Sequence, residues 1–249
     1  ETLRYYYGQT RKKVHPKKWA RAAVGFAGQI DSRRRFKPNA IAIDDDHVVV
    51  ADRDRWPVMV PRTELDVVGF LYCNGVYDPS FQSFLKRTLS GSDTYVDVGA
   101  NIGQFVLSAA RCLSAYGRVI AIEPNPKSAG VLQSNIYMWR NRGLACDISL
   151  LEHAVGEEDQ RRMNLFVPSK HAGRASVLSG SLGDLNHQEL SEIEVPSCSL
   201  DSVLEGLSHI RLIKVDVEGA EPEVLRGGME TLLSGRVDFV DLEVQAAFL

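Results

Sequence analysis

Short apolar runs and stretches of helical periodicity take turns along most of this chain. Residues 94–98 (Thr-Tyr-Val-Asp-Val) read as a strand, and beyond a tight turn Phe105, Ala109, Cys112 and Tyr116 recur at helical spacing. Residues 118–123 repeat the pattern. There Asn125 supplies a helix N-cap and Pro126 the first helical position, and the apolar face continues through Val131, Leu132, Asn135, Ile136 and Trp139. A third strand is expected over 148–152, a short helix over 200–204, a fourth strand over 211–217 and a fifth over 238–243. Between the last two strands, Val224, Leu225, Gly228, Met229, Leu232 and Leu233 predict the buried face of one helix that Gly235 ends. Strands alternating with helices predict an α/β fold, a doubly wound, Rossmann-like parallel sheet with helices on both faces.

Two regions break that rhythm. Residues 41–50 and 57–61 read as the strands of a hairpin around the charged turn 51–55, part of an N-terminal extension. Residues 163–167, 175–178 and 193–198 read as short β segments joined by loops rich in Gly, Ser, His and Asn. Such a β-rich insert, placed at the carboxyl ends of the sheet strands, would cover the substrate side and bring His171, Arg174 and Ser176 there. The expected division is an extension over 1–74 and an α/β domain over 75–249.

The turn after residue 98 carries the first chemistry. Asp97 stands two residues before Gly99, and Gly103 closes the turn, so backbone can come very close to a ligand. A dinucleotide fingerprint would need glycine at 99, 101 and 104. Asn101 and Gln104 stand at the last two positions, which disfavours a nicotinamide cofactor, while Asn101 still tolerates a left-handed backbone. Glu123, at the carboxyl end of the second strand, is placed to accept both hydroxyls of a ribose.

Three stretches then occur in a telling order: Val96-Asp-Val-Gly-Ala-Asn-Ile-Gly103, Ile122-Glu-Pro-Asn125 and Ile213-Lys-Val-Asp-Val-Glu-Gly-Ala-Glu221. Together they resemble the FkbM family of S-adenosylmethionine-dependent methyltransferases, and the likeness runs from about residue 75 to 243. It implies a class I methyltransferase fold, S-adenosylmethionine as cofactor, and O-methylation of a hydroxyl on a sugar or natural product. Onto these positions it carries cofactor contacts at Asp97, Gly99, Ala100, Asn101, Gly103, Glu123, Pro124 and Asp216. Backbone at 99–103 would cradle the methionine part and Glu123 would hold the ribose. Ala154 and Val155, after the third strand, would flank the adenine, with His153 beside them.

Asp216 ends the fourth strand at the sheet edge where ligands gather, and is the first candidate for the catalytic base. Glu218 and His171 are the others. Glu218 and Glu221 also sit where the next helix begins, a favourable place for carboxylates. No metal is expected; the alternative route gives a Mg²⁺ to Asp216 and Glu243. Lys214 alternates onto the same strand face as Asp216 and requires a partner if buried, either Asp216 or Glu243. Methylation of a nucleic-acid amine is disfavoured, because Asp216-Val-Glu-Gly219 stands where such enzymes carry an Asn/Asp-Pro-Pro-aromatic step.

Composition changes the picture only locally. With 249 residues, 44% of them apolar, the chain is large enough for one α/β domain plus an extension. No apolar run approaches the roughly 18–20 residues of a membrane span. Cys73, Cys112, Cys146 and Cys198 are far apart and form no Cys-x-x-Cys, which reads as reduced thiols in a cytoplasmic protein. The net charge of −3 hides an asymmetry: residues 1–37 hold eleven Lys or Arg against Glu1 and Asp31, an arm of +9 before a body of −12. With Tyr5, Tyr6, Tyr7 and Trp19 interleaved, the arm fits either a helix docked on the acidic body or a grip on nucleic acid or an anionic surface. The expected partner of the site is a small-molecule or glycan hydroxyl acceptor. The other function open to the chain is a cofactor-binding scaffold or nucleic-acid-associated protein that works through the arm. The antiparallel hairpin that doubly wound methyltransferases add after the fifth strand is expected to be missing: either the chain is truncated or the apolar edge is covered by a partner or a second copy.

Overall fold

The computed structural model describes residues 40–159, 161–169, 172–178 and 190–243. The basic arm and His171 lie outside the described residues. The chain divides between Pro79 and Ser80 into two compact units.

In the first unit, β1 (Ala40–Ala42), β2 (His47–Ala51) and β3 (Pro57–Pro61) form an antiparallel sheet in that order. The single strand expected over 41–50 is two strands. Asp44 Oδ1 accepts the backbone N–H groups of Asp46 and His47 at 2.8 and 2.7 Å, which reverses the chain. Val48, Val50, Val58 and Val60 alternate onto one buried face. The following helix, α1 (Leu65–Asn74), was not foreseen. It buries Val67, Val68 and Leu71 and stops at Gly75, whose φ of 66° makes a left-handed C-terminal cap.

The second unit opens with α2 (Pro79–Thr88) and is organised on a five-stranded parallel sheet. Its strands are β4 (Thr94–Val98), β5 (Arg118–Ile122), β6 (Asp147–Leu151), β10 (Ile210–Val215) and β11 (Val237–Leu242), in the order β11-β10-β4-β5-β6. The chain winds outward from β4 to β6, then returns to the other side of β4 with β10. The order therefore reverses between β4 and β10, and the crevice beyond their carboxyl ends is where open α/β sheets bind ligands. Val96, Val98, Ile120, Ile122, Ile213 and Val215 interlock on one sheet face with Leu200, Leu204 and Val224.

Helices α3 (Gln104–Ala110) and α4 (Pro126–Asn141) follow β4 and β5. Asn125 caps α4 by accepting the Lys127 N–H at 3.1 Å, and all five predicted face residues of α4 are buried. α3 ends sooner than its spacing suggested, so Cys112 lies beyond it and Tyr116 is 88% exposed. The one helix expected between β10 and β11 is two, α6 (Glu221–Arg226) and α7 (Met229–Leu233). A side chain at Gly227 would meet the Gly156 carbonyl oxygen at 2.0 Å, and one at Gly228 would meet Leu200 at 2.8 Å. The backbone bends at this close approach, and Met229 and Leu233 turn outward rather than into the core.

The insert comprises β7 (Ala154–Gly156), β8 (Arg162–Pro168) and β9 (Leu190–Ser199), in the order β7-β9-β8. A 3₁₀ turn (Ala172–Arg174) stands between β8 and β9, and α5 (Leu200–Val203) leads back to the sheet. The strand expected over 175–178 reduces to a bridge between Ser176 and Phe166. Among the described residues no helix is long and apolar enough to cross a membrane.

Candidate cofactor and active site

The turn after β4 contains three left-handed residues, Gly99 (φ 86°), Asn101 (φ 48°) and Gly103 (φ 88°). The glycines serve protein packing directly. A Cβ on Gly99 would stand 1.8 Å from the Asp216 carbonyl oxygen, and one on Gly103 would stand 2.2 Å from Leu132 Cδ1. Glycine here lets the turn after β4 touch the turn after β10 and lets α3 approach α4.

The amides of the turn also face inward. Gly99 and Ala100 both donate to the Ile122 carbonyl at 2.9 and 3.0 Å, and Gly103 donates to Ala100 at 2.8 Å. Asn101 donates to Glu123 Oε2 at 2.7 Å. These four amides are engaged, so the expected backbone cradle at 99–103 is in large part the protein's own hydrogen bonding. A phosphate-binding loop would present such N–H groups to its ligand; this one does not.

Glu123 is clamped from both sides. Its Oε2 accepts from Asn101 and its Oε1 accepts the Asn125 N–H at 2.9 Å, leaving acceptor capacity on each oxygen. Burial pushes its carboxyl up to about 7, against the two backbone hydrogen bonds and with a smaller upward push from Asp97 and Asp216.

A second acidic group lies beneath the switch point. Asp97 is 1% exposed, and neither of its carboxylate oxygens has a hydrogen-bond partner. The Tyr95 hydroxyl and the Lys214 ammonium lie close enough to weigh on its charge without making a hydrogen bond of good geometry. Burial pushes Asp97 up to about 6, Lys214 opposes the rise, and Asp216 adds to it. Lys214 Nζ bonds Asp216 Oδ2 at 2.8 Å and stands 5.0 Å from the centroid of the Phe105 ring. Of the two partners expected for Lys214, the structure supplies Asp216. Burial alone would pull the ammonium down, but Asp216 and Asp97 outweigh it and hold it above its ordinary value.

Above these groups opens a cleft. Gly99, Glu123, Pro124, His153, Ala154 and Val155 line it from β4, β5 and the segment after β6. Asp216, Val217, Glu218 and Ala220 line it from the turn after β10, and Leu165, Gly173, Ala175 and Val177 from the insert. Asp97, Ala100 and Gly103 are buried in the protein beneath. The His153 Nδ1 atom is buried without a partner. The apolar wall of the insert was missed; alternation of Gly173, Ala175 and Val177 was the available signal.

Glu218 sits in the turn rather than on the helix, with φ 55°, 3.8 Å from the Arg174 guanidinium. Its carbonyl accepts the Ser176 hydroxyl at 2.8 Å, so the insert is tied to the turn after β10. Glu221 does begin α6, but its buried carboxylate accepts the N–H groups of Gly219 and Val217 at 3.0 and 3.3 Å, shaping the turn. Glu243 donates its N–H to Val215 at 3.0 Å. Among the described residues no group of three or more His, Cys, Asp or Glu side chains is placed to hold a metal ion, and Asp216 already gives one oxygen to Lys214.

An inward-facing glycine turn, orphaned Asp97 oxygens and a clamped Glu123 suit a ligand that carries a ribose and positive charge and lacks phosphate. S-adenosylmethionine has that chemistry, and the residues fit it. The sheet order with its crevice at the switch point is the class I methyltransferase fold. A model of the FkbM methyltransferase domain matches residues 97–248, and the chain belongs to that family.

Among curated relatives, "Methyltransferase 1" of Beauveria bassiana is 30% identical over 146 residues, which are 53% of this chain and 57% of that protein. The "2-O-methyltransferase NoeI" of Sinorhizobium fredii is 31% identical over 169 residues, 61% of this chain and 64% of that protein. The matched part thus spans less than two thirds of either relative. A crystal structure of an FkbM methyltransferase from Methylobacillus flagellatus is similar at 17% identity and a TM-score of 0.42, covering 71% of this chain and 42% of that one.

Proposed function

We propose that this chain is an S-adenosylmethionine-dependent methyltransferase acting on a hydroxyl of a sugar or natural product. The observation that carries the reading is the inversion of the glycine turn: its amides are spent internally, and the carboxylates of Glu123 and Asp216 line the cleft instead. The cofactor supplies, when bound, a methyl group already activated on a positively charged sulfur. Glu123 accepts the ribose hydroxyls with its free acceptor capacity, and Asp97 offers negative charge to the cationic part. Pro124, Ala154 and Val155 flank the adenine.

The protein's remaining task is to orient an acceptor and take up its proton. Asp216 is placed for both, because Lys214 fixes one of its oxygens and leaves Oδ1 for the acceptor hydroxyl. Leu165, Ala175 and Val177 keep water from that side of the cleft. The printed name of NoeI, a 2-O-methyltransferase, supports an oxygen acceptor.

The test begins with calorimetry, where the wild-type protein binds S-adenosylhomocysteine. Labelled S-adenosylmethionine with a panel of glycans and polyhydroxylated metabolites then identifies the acceptor. Asp216→Asn keeps cofactor-product binding and loses turnover about 100-fold. No binding by the wild type rejects the cofactor, and full turnover in Asp216→Asn rejects the base.

A further inference from the structure

Lys214 is a buried cation whose only role so far is to hold one oxygen of Asp216. It stands in β10, in register with Asp97 on β4 on one side and Asp241 on β11 on the other. It is 2% exposed, a costly position for an ammonium unless its neighbours repay the lost water. The groups around it are Tyr95 and Asp97 on β4, Asp216 after β10, Asp241 and Glu243 on the β11 side, and the Phe105 ring on α3.

Of these, Asp216 makes a direct ion pair with it at 2.8 Å. Asp97 next to it has two buried oxygens, neither in a hydrogen bond of good geometry. A cation that served the fold alone would be expected to bond every buried acceptor within reach. This one binds the acid at the mouth of the cleft and leaves the deeper acid open.

We infer that Lys214 is a positioning residue, the shared counter-ion that fixes Asp216 at the cleft mouth and keeps Asp97 ionised for a cationic group of the ligand. The inference rests on the methyltransferase reading above. It makes Lys214 act through Asp97 in cofactor binding, with no contact of its own to the ligand.

A double-mutant cycle reads that coupling. S-adenosylhomocysteine, whose α-ammonium is cationic, is titrated calorimetrically into wild-type protein, Lys214→Met, Asp97→Asn and the double variant at pH 7.5. Each single substitution is expected to weaken binding about 10-fold, and the double variant binds no worse than Asp97→Asn, because residues of one ion-pair network are not additive. If Lys214→Met does not fold, the double variant removes one charge of each sign, and its comparison with Asp97→Asn gives the same answer. Binding by Lys214→Met equal to wild type, or a double variant about 10-fold weaker than Asp97→Asn, overturns the inference while leaving the cofactor assignment intact. Absence of binding by the wild type overturns the cofactor reading and this inference with it.

Discussion

Both faces of the central strands β4, β5 and β10 are buried, yet one is wholly apolar and the other carries charge among its apolar residues. One face takes Val96 and Val98 from β4, Ile120 and Ile122 from β5, and Ile213 and Val215 from β10, aliphatic throughout. The other takes Tyr95 and Asp97 from β4 and Leu212 and Lys214 from β10, paired in register, with Asp241 of β11 beside them. Burial of the first set is favourable residue by residue, at roughly 1.5–3 kcal/mol for each large aliphatic side chain. Burial of the second set costs free energy unless charges and hydrogen bonds are matched, and at Asp97 they are not. On the proposed function, the contrast separates residues that hold the sheet together from residues that the sheet holds in place for a ligand.

The largest expected effect follows from exchanging one residue on each face. Ile213→Ala leaves a cavity in the aliphatic face and costs about 2–5 kcal/mol. For a unit of this size the loss lowers the melting temperature by about 5–15 °C. Asp97→Asn has the reverse profile. The carboxyl is pushed up to about 6, so its ionised form burdens the folded state near neutral pH. The variant melts at or above the wild type at pH 8 and yet binds S-adenosylhomocysteine about 10-fold more weakly. Thermal melts and calorimetry on both variants decide it; a destabilised Asp97→Asn with unchanged affinity would place Asp97 among the residues of the fold.

How much of this contrast was legible in the sequence depends on how far apart the determining residues lie. Strands β4, β5 and β10 were readable because their apolar runs are bounded by polar turns, and Asn125-Pro126 marked the start of α4 with local chemistry alone. The Lys214–Asp216 pair was readable from period-two alternation. The division into α6 and α7 was not, because the bend at Gly227 and Gly228 is dictated by the Gly156 carbonyl and Leu200, distant in the chain. The same holds within the site. The glycine spacing suggested a backbone cradle, but the destination of its amides is set by Ile122 and Glu123 on the neighbouring strand. Asp97 was legible as a candidate from its place before the glycine turn, whereas the burial of its carboxylate without a well-formed hydrogen bond is a property of three strands in register.

A smaller effect sharpens the comparison through pH. Glu123 has an ordinary carboxyl value of 4.5 when exposed and about 7 in the folded protein. A raised acid binds its proton more tightly when folded, so its contribution to stability is fully present below about 4.5 and declines as pH rises. It is lost above about 7. Asp97 acts in the same direction over a lower window, from 3.8 to about 6. The ligand-free protein should therefore lose stability between about pH 4 and 7, and Glu123→Gln should flatten the part of that decline that extends beyond pH 6. Binding runs the other way. The ribose hydroxyls bond an ionised carboxylate more strongly than a protonated one, so S-adenosylhomocysteine affinity falls as pH drops below about 7 in the wild type. Parallel pH trends for stability and affinity would show that Glu123 does not meet the ligand as a carboxylate.

The smallest expected effect belongs to the insert, where no charge is buried among the described residues and the Ser176 hydroxyl helps tie it to the turn after β10. Ser176 is 1% exposed, donates to the Glu218 carbonyl at 2.8 Å and accepts the Leu178 N–H at 3.1 Å. It thereby links the apolar wall formed by Ala175 and Val177 to the left-handed turn at Glu218. Ser176→Ala removes the hydroxyl from both bonds and costs about 1 kcal/mol. Because the Phe166–Ser176 backbone bridge is untouched, the segment stays in register. Amide exchange at Ala175, Val177 and Leu178 should quicken about 5-fold, the equivalent of that 1 kcal/mol, while exchange in β4 and β10 is unchanged. S-adenosylhomocysteine affinity should stay within about 2-fold of wild type, since Glu123 and Asp97 are undisturbed. Unaltered exchange in the insert would mean that its wall is held by the Phe166–Ser176 bridge and by packing rather than by the Ser176 hydroxyl. Faster exchange in β4 would mean that the tie reaches the charged face of the sheet, and the separation between the two kinds of buried residue would not hold there.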